Sequence, residues 1–200
     1  MFSALKLAEQ VTSTRGAKSC ALTGPGGRKL QVQPCVAPAI VAFPPSTFDK
    51  VEGATRLTLE LRCDEHMLGY FDAFDFWGKG YLVEHSVRLF KKEMTELQVE
   101  EGYHPTVKRH PTGAYAPLLR CKLDTCGRRE VTYWTPENVR RKAPEDCSRA
   151  SVLPQLEVVS LWSMGRELGW VIQCNALRVF EDSAACPFAV VEDGTSSMET

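Results

Sequence analysis

A chain that holds a phosphate backbone while stacking its unpaired bases needs cations along a track and flat aromatic rings between them. The stretch from Tyr103 to Ala150 carries both. Arg120 and Lys122 alternate with Leu119 and Cys121, so a strand here would put both cations on one face and the apolar pair on the other. Lys108 and Arg109, Arg128 and Arg129, and Arg140-Arg141-Lys142 punctuate the flanking segments, and Tyr115, Tyr133 and Trp134 lie among them. The stretch holds ten basic residues against five acidic ones, in a chain whose formal net charge is only -1. The charge is segregated locally, and the whole molecule offers no general attraction for nucleic acid or membrane. The competing reading of the same residues is a solvated basic face with its aromatics in the core. Trp162 and Trp170 read as core or barrel-rim residues.

Other chemistries find less support. Cys63-Asp-Glu-His66 and Cys121-Lys-Leu-Asp-Thr-Cys126 offer soft ligands, but neither half contains a Cys-x-x-Cys knuckle and the two lie nearly sixty residues apart, so zinc is the weaker reading. The histidines at 66, 85, 104 and 110 stand in unrelated contexts, and His104 and His110 precede prolines as exposed turn residues do. There is no Walker loop, no nucleophile elbow and no spaced carboxylate cluster for magnesium, and Gly24-Pro-Gly-Gly-Arg28 is too short to cradle phosphates and lacks a following helix. A non-enzymatic protein without a cofactor is the expectation.

The elements that would position these residues are mostly strands. Leu57, Leu59 and Leu61 alternate with Thr58, Glu60 and Arg62 as in a half-buried antiparallel strand. Shorter β-like runs occur at 19–22, 29–36, 114–123 and 130–134, with Gly24, Gly26 and Gly27 as a turn between the first two, while Ala39 to Phe43 and Pro44-Pro45 lead into a loop. Ser151 to Phe180 reads as a long hairpin, with Leu156, Val158 and Trp162 on one face and Val159 and Leu161 on the other. Between the strands, Phe71, Phe74, Trp77, Tyr81, Leu82 and Leu89 form a helical stripe over about 69–97, which Gly78 and Gly80 should kink or split. Thr135-Pro-Glu-Asn138 has the features of a helix start. Five or more strands with a single helix between them predict a mainly β chain: an OB-type five-stranded barrel with N-terminal extra strands and a helical insertion. The rival architecture is a β-sandwich acting as a structural or interaction protein, such as a small virion component.

Several runs resemble the OB-fold single-stranded DNA-binding proteins of large eukaryotic DNA viruses and, more distantly, those of short-tailed bacteriophages. Gly24-Pro-Gly-Gly27 before Leu30-Gln-Val-Gln33 is similar to that family's opening hairpin, Leu57 to Leu61 to its first core strand, and Phe71 to Lys92 to its helical insertion. Gly102-Tyr-His-Pro-Thr-Val-Lys108 with Gly113 to Leu123 resembles its loop and following strand. Val158-Val-Ser-Leu-Trp162 with Gly165 and Gly169 resembles its closing hairpin. The likeness spans roughly residues 13 to 190; Trp134 and Arg140-Arg-Lys142 have no counterpart in it. It implies a protein that coats and protects exposed DNA strands during replication, recombination or repair. From the basic and aromatic pattern between Tyr103 and Ala150, and not from the resemblance, the contacts would come from Lys108, Arg109, Tyr115, Arg120, Lys122, Arg128, Arg129, Tyr133 and Trp134.

Two hundred residues suffice for one domain, expected over 1–190, with a short acidic mobile tail at 191–200. Glu181 to Thr200 holds five acids and no Lys or Arg, a candidate segment for recruiting replication proteins. A homodimer is compatible with the sequence. The eight cysteines are too sparse for a disulfide scaffold and several sit in apolar runs, so reduced thiols are expected. With no basic-then-apolar leader and no run of about 18 apolar residues, the expectation is a soluble intracellular protein with no membrane partner, working in the nucleus or a cytoplasmic replication site if viral.

Overall fold

The computed structural model describes residues 2–14, 16–47, 53–144 and 147–180. The expected acidic tail lies outside them. In chain order the elements are β1 (Lys6–Thr14), β2 (Ala17–Thr23), β3 (Leu30–Val32), β4 (Ala39–Ser46), β5 (Arg56–Arg62), α1 (Glu65–Glu84), α2 (Ser86–Phe90) and α3 (Glu96–Gly102). They are followed by β6 (Tyr103–His104), β7 (Val107–Lys108), β8 (Leu118–Asp124), β9 (Thr132–Trp134), β10 (Arg140–Arg141), β11 (Ser151–Met164) and β12 (Glu167–Phe180).

The strands form one sheet in the order β1-β2-β11-β4-β5-β8-β12-β9-β10, and the direct pairing of β11 with β12 closes five of them into a ring. Taken in chain order, β4, β5, β8, β11 and β12 are neighbours as first-second-third-fifth-fourth and back to first. The third and fifth, β8 and β12, run parallel. This is the OB-type ring expected from the sequence, with β1 and β2 as extra N-terminal strands and the helices inserted between β5 and β8. One continuous sheet removes the sandwich alternative.

The alternation in β5 and β8 does what the sequence predicts. Leu59, Leu61, Leu119, Cys121 and Leu123 are buried in the ring, joined by Val41, Leu156, Val158, Ile172 and Cys174 from the other three strands. Each large aliphatic chain so buried contributes about 1.5–3 kcal/mol. The long hairpin departs from the expected alternation. Its register shifts between Val158 and Ser160, which inserts a bulge and inverts the pattern beyond it. Leu161 therefore enters the core while Trp162 turns to the outer face.

The insertion is longer than 69–97. It starts where the Asp64 side chain accepts the backbone N–H of Met67, and its last helix is fixed by a capping box between Thr95 and Gln98. Helix α1 runs unbroken through Gly78 and Gly80 and ends at His85 instead. Gly78 is an approach point: a side chain there would meet the Trp170 indole at 3.1 Å. Phe71, Phe74 and Leu82 are buried on α1, and Phe2 meets Phe74 edge to face at 5.4 Å, so the N-terminus and the hairpin share the helix's apolar face. The segment after β9 is not a helix. Asn138 takes a positive φ of 65° and the Asn138 N–H donates to the Thr135 carbonyl, making the turn from β9 to β10.

A buried polar cluster ties the insertion to the ring. The Asp75 carboxylate on α1 accepts from the Tyr103 hydroxyl at 2.7 Å, the Thr106 N–H at 2.8 Å and the Thr106 hydroxyl, and the Trp170 indole N–H donates to the same Tyr103 oxygen at 2.6 Å. Next to it, Gly102 passes so close to the β11–β12 turn that a methyl group would sit 2.1 Å from the Arg166 carbonyl oxygen. Gly102→Ala is expected to destabilise the protein by at least about 1–3 kcal/mol, because the obstacle is backbone. A thermal melt indistinguishable from that of the parent would contradict this packing.

Candidate functional site

The outer faces of β5, β8 and β12 meet in a groove of about 720 Å³, whose lining includes Phe43, Thr58, Glu60, Arg120, Lys122 and Trp162. Register decides which side chains face it. Thr58 pairs with Lys122 and Glu60 with Arg120 across β5 and β8, and Lys122 pairs with Gln173 of β12. These residues alternate with the core leucines and so all point outward.

Arg56 stands at the start of the same outward row. Its guanidinium donates to the Gln173 amide oxygen at 3.4 Å and lies 3.4 Å from Asp124. Arg120 is engaged by Glu60. Among the described residues no carboxylate pairs with Lys122, which donates to the Thr58 hydroxyl at 3.2 Å. Its ammonium is held below the ordinary lysine range, first by partial desolvation and then by the like charges of Arg56 and Arg120. With two guanidinium groups near enough to disfavour the Lys122 charge, this is a place where an anion is stabilised. Gln173, wholly buried beside Arg56 and Lys122, has no partner for its amide N–H2 among the described residues.

Two aromatic rings flank the cations. Phe43 on β4 is 57% exposed. Trp162 pairs with Gly169 across the hairpin, and a side chain at Gly169 would meet the indole at 3.0 Å, so the ring lies close over bare backbone. On the far side of Gly169, β6 places His104 with its ring centroid 5.3 Å from that of Trp162 and its Nε2 3.6 Å from the Glu167 carboxylate.

The residues singled out from the sequence divide into groups. Arg120 and Lys122 sit in the groove. Lys108 pairs with Leu118 at the start of β8 and is exposed on the same outward side. Arg109 is held by Asp72 of α1 at 2.7 Å. Tyr115 is 72% exposed in the loop before β8, edge-on to His110. Arg128 and Arg129 are exposed in the loop beyond the other end of β8. Tyr133 pairs with the buried Leu177, and burial pushes its hydroxyl up to about 12, so it turns toward the core side. Trp134 pairs with Arg178 on the outward side of β12, half-buried, with its indole N–H on the Thr132 hydroxyl at 2.9 Å. It stands five residues beyond Gln173, about 17 Å along the strand. Of the Cys63–His66 and Cys121–Cys126 pairs weighed for zinc, Cys121 is in the core and Cys126 is exposed in a loop.

Phe43 and Trp162 in the groove, and Arg56 and His104 beside it, are residues that the sequence pattern does not single out. Arg56 is legible in hindsight, since it shares parity with Thr58, Glu60 and Arg62. Trp162 is hidden by the bulge before it.

No helix among the described residues is long and apolar enough to cross a membrane. No protein-family model matches the chain, and no curated protein matches it. Among solved structures, the single-stranded DNA-binding protein from bacteriophage Enc34 superposes on 87% of this chain and 89% of its own, with a TM-score of 0.42 and 11% identity. A likeness of that size establishes no relationship, and the strand order of the ring is what fixes the fold.

Proposed function

We propose that the chain is a non-enzymatic single-stranded DNA-binding protein whose strand lies in the groove across β5, β8 and β12. The observation that carries this reading is the pair Arg120 and Lys122, with Arg56 on the same outward row, between two accessible aromatic rings, Phe43 and Trp162. Phosphates meet the cations, and unstacked bases meet the rings; stacking of this kind is worth about 1–3 kcal/mol per base. Duplex DNA keeps its base faces in the stack and forfeits that contribution, so single strands are preferred. Coating of exposed strands during replication, recombination or repair is the role such a preference suits. Recruitment of a replication protein through the acidic segment after Phe180 belongs to the same reading.

Titration of the tryptophan fluorescence with oligo-dT and with a matched duplex tests it. Tight binding of the single strand, weak binding of the duplex and a steep loss of affinity with salt are expected. Equal affinity for both forms, or none for either, rejects the reading.

The pH dependence carries a further expected result. Below its lowered pKa, Lys122 is protonated and holds phosphate; as pH rises through that value the charge and the contact are lost. Oligo-dT affinity should fall in an alkaline step that lies below the ordinary lysine range, and Lys122→Arg should remove the step. A step that survives Lys122→Arg assigns it to another group.

A further inference from the structure

We propose that the cleft behind the tip of the β11–β12 hairpin is a second phosphate-binding segment of the same strand path, so that a bound strand leaves the groove by passing round the hairpin tip. This rests on the single-strand reading of the groove. The cleft, about 800 Å³, lies between the hairpin tip, the start of β2 and the α2–α3 region. Lys18, Lys92 and Arg166 line it, and among the described residues none of the three has an ion pair. Its two acids, Glu101 and Glu167, stand against these three cations, and the Glu167 carboxylate lies 3.6 Å from the His104 Nε2 beside Trp162. Phe90, Met94 and Leu168 supply an apolar part of the wall.

Continuity with the groove is what favours a nucleic acid strand over an acidic peptide. Trp162 lines the groove and its neighbour Ser163 lines the cleft, as alternation along β11 requires; on β12 the same division falls between Leu168, in the cleft, and Gly169, under Trp162. Only the turn at Gly165-Arg166 separates the two spaces. From Trp162 to Gly165 is three residues, about 10 Å of extended chain. A polyanion held at Lys122 and stacked on Trp162 therefore meets the next unpaired cations at Arg166, Lys18 and Lys92.

The test is a combined Lys18→Ala, Lys92→Ala and Arg166→Ala variant of the full chain, titrated with a short oligo-dT of about 5 nucleotides and a longer one of about 15, within the range that one OB-type ring covers. The variant should bind the short strand as the parent does, which also shows that it is folded. It should bind the longer strand more weakly, with the log-log salt slope reduced by about 2, or 0.7 for each of three lost phosphate contacts. If both strands bind as they do to the parent, the cleft is not on the path. The same holds if the variant loses only the binding of a poly-glutamate peptide, which would make the cleft a peptide site. If the parent binds neither strand, the single-strand reading itself falls, a result separable from the failure of the cleft.

Discussion

Asp75→Ala is expected to destabilise the protein by about 3 kcal/mol or more, because it strands three donors at once. The Tyr103 hydroxyl, the Thr106 N–H and the Thr106 hydroxyl all end on this carboxylate, and each donor left buried without a partner costs about 1–3 kcal/mol. The loss reaches the groove, since Tyr103 and His104 are the β6 residues that pair with Leu168 and Gly169 beneath Trp162. Burial holds the Asp75 carboxyl above its ordinary range even though its hydrogen bonds pull the other way. As pH falls, the native state takes up this proton before the unfolded chain does. The group therefore favours folding increasingly from its raised native pKa down to the ordinary value near about 3.9, and that contribution is lost as pH rises through the native pKa. Asp75→Asn should abolish this dependence while costing less than Asp75→Ala. Urea denaturation across pH 3 to 7 measures both, and an Asp75→Ala variant within about 0.5 kcal/mol of the parent would show that the cluster does not hold the insertion to the ring.

Trp162→Ala should leave the fold intact and weaken oligo-dT binding by about 5- to 150-fold, the equivalent of one stacking platform at 1–3 kcal/mol. Trp162 stands on the outer face, and its partner Gly169 has no side chain that its removal would leave unpacked. Joint replacement of Arg56, Arg120 and Lys122 by alanine should act on a different quantity. The salt slope should fall by about 2 as three phosphate contacts are removed, and the remaining binding should depend chiefly on stacking. Arg109→Ala should change affinity little, because its guanidinium lies on Asp72 of α1 and does not line the groove. If Arg109 matters as much as Lys122, the strand runs over α1 and the groove has been misassigned.

The contrast between Arg109 and Lys122 shows what sequence can and cannot reveal about such a site. Strict alternation at Arg120 and Lys122 determines their side of β8, because a strand has only two faces. Whether a cation is already neutralised depends on a residue 37 positions away, and no local pattern records that pairing. Trp162 illustrates a different limit. Val159 adds one residue to β11, so a periodicity correct up to Val158 assigns every later side chain to the wrong face. Thr135-Pro-Glu-Asn138 matches a helix start, yet the positive φ at Asn138 and the short span to β10 make a turn of it. The ring strands are legible because each buries one face in a shared core. The helix ends are less so, with capping at Asp64 and Thr95 extending the insertion beyond its apolar stripe.

If a single strand of DNA lies on the outward face of β5, β8 and β12, a map of backbone amide shifts on adding oligo-dT will trace it directly. The perturbed amides should fall on 56–60, 118–124 and 169–173, with the Trp162 indole N–H among the largest changes. Shifts confined to α1 or to the β9–β10 turn, with the groove amides unmoved, would contradict it.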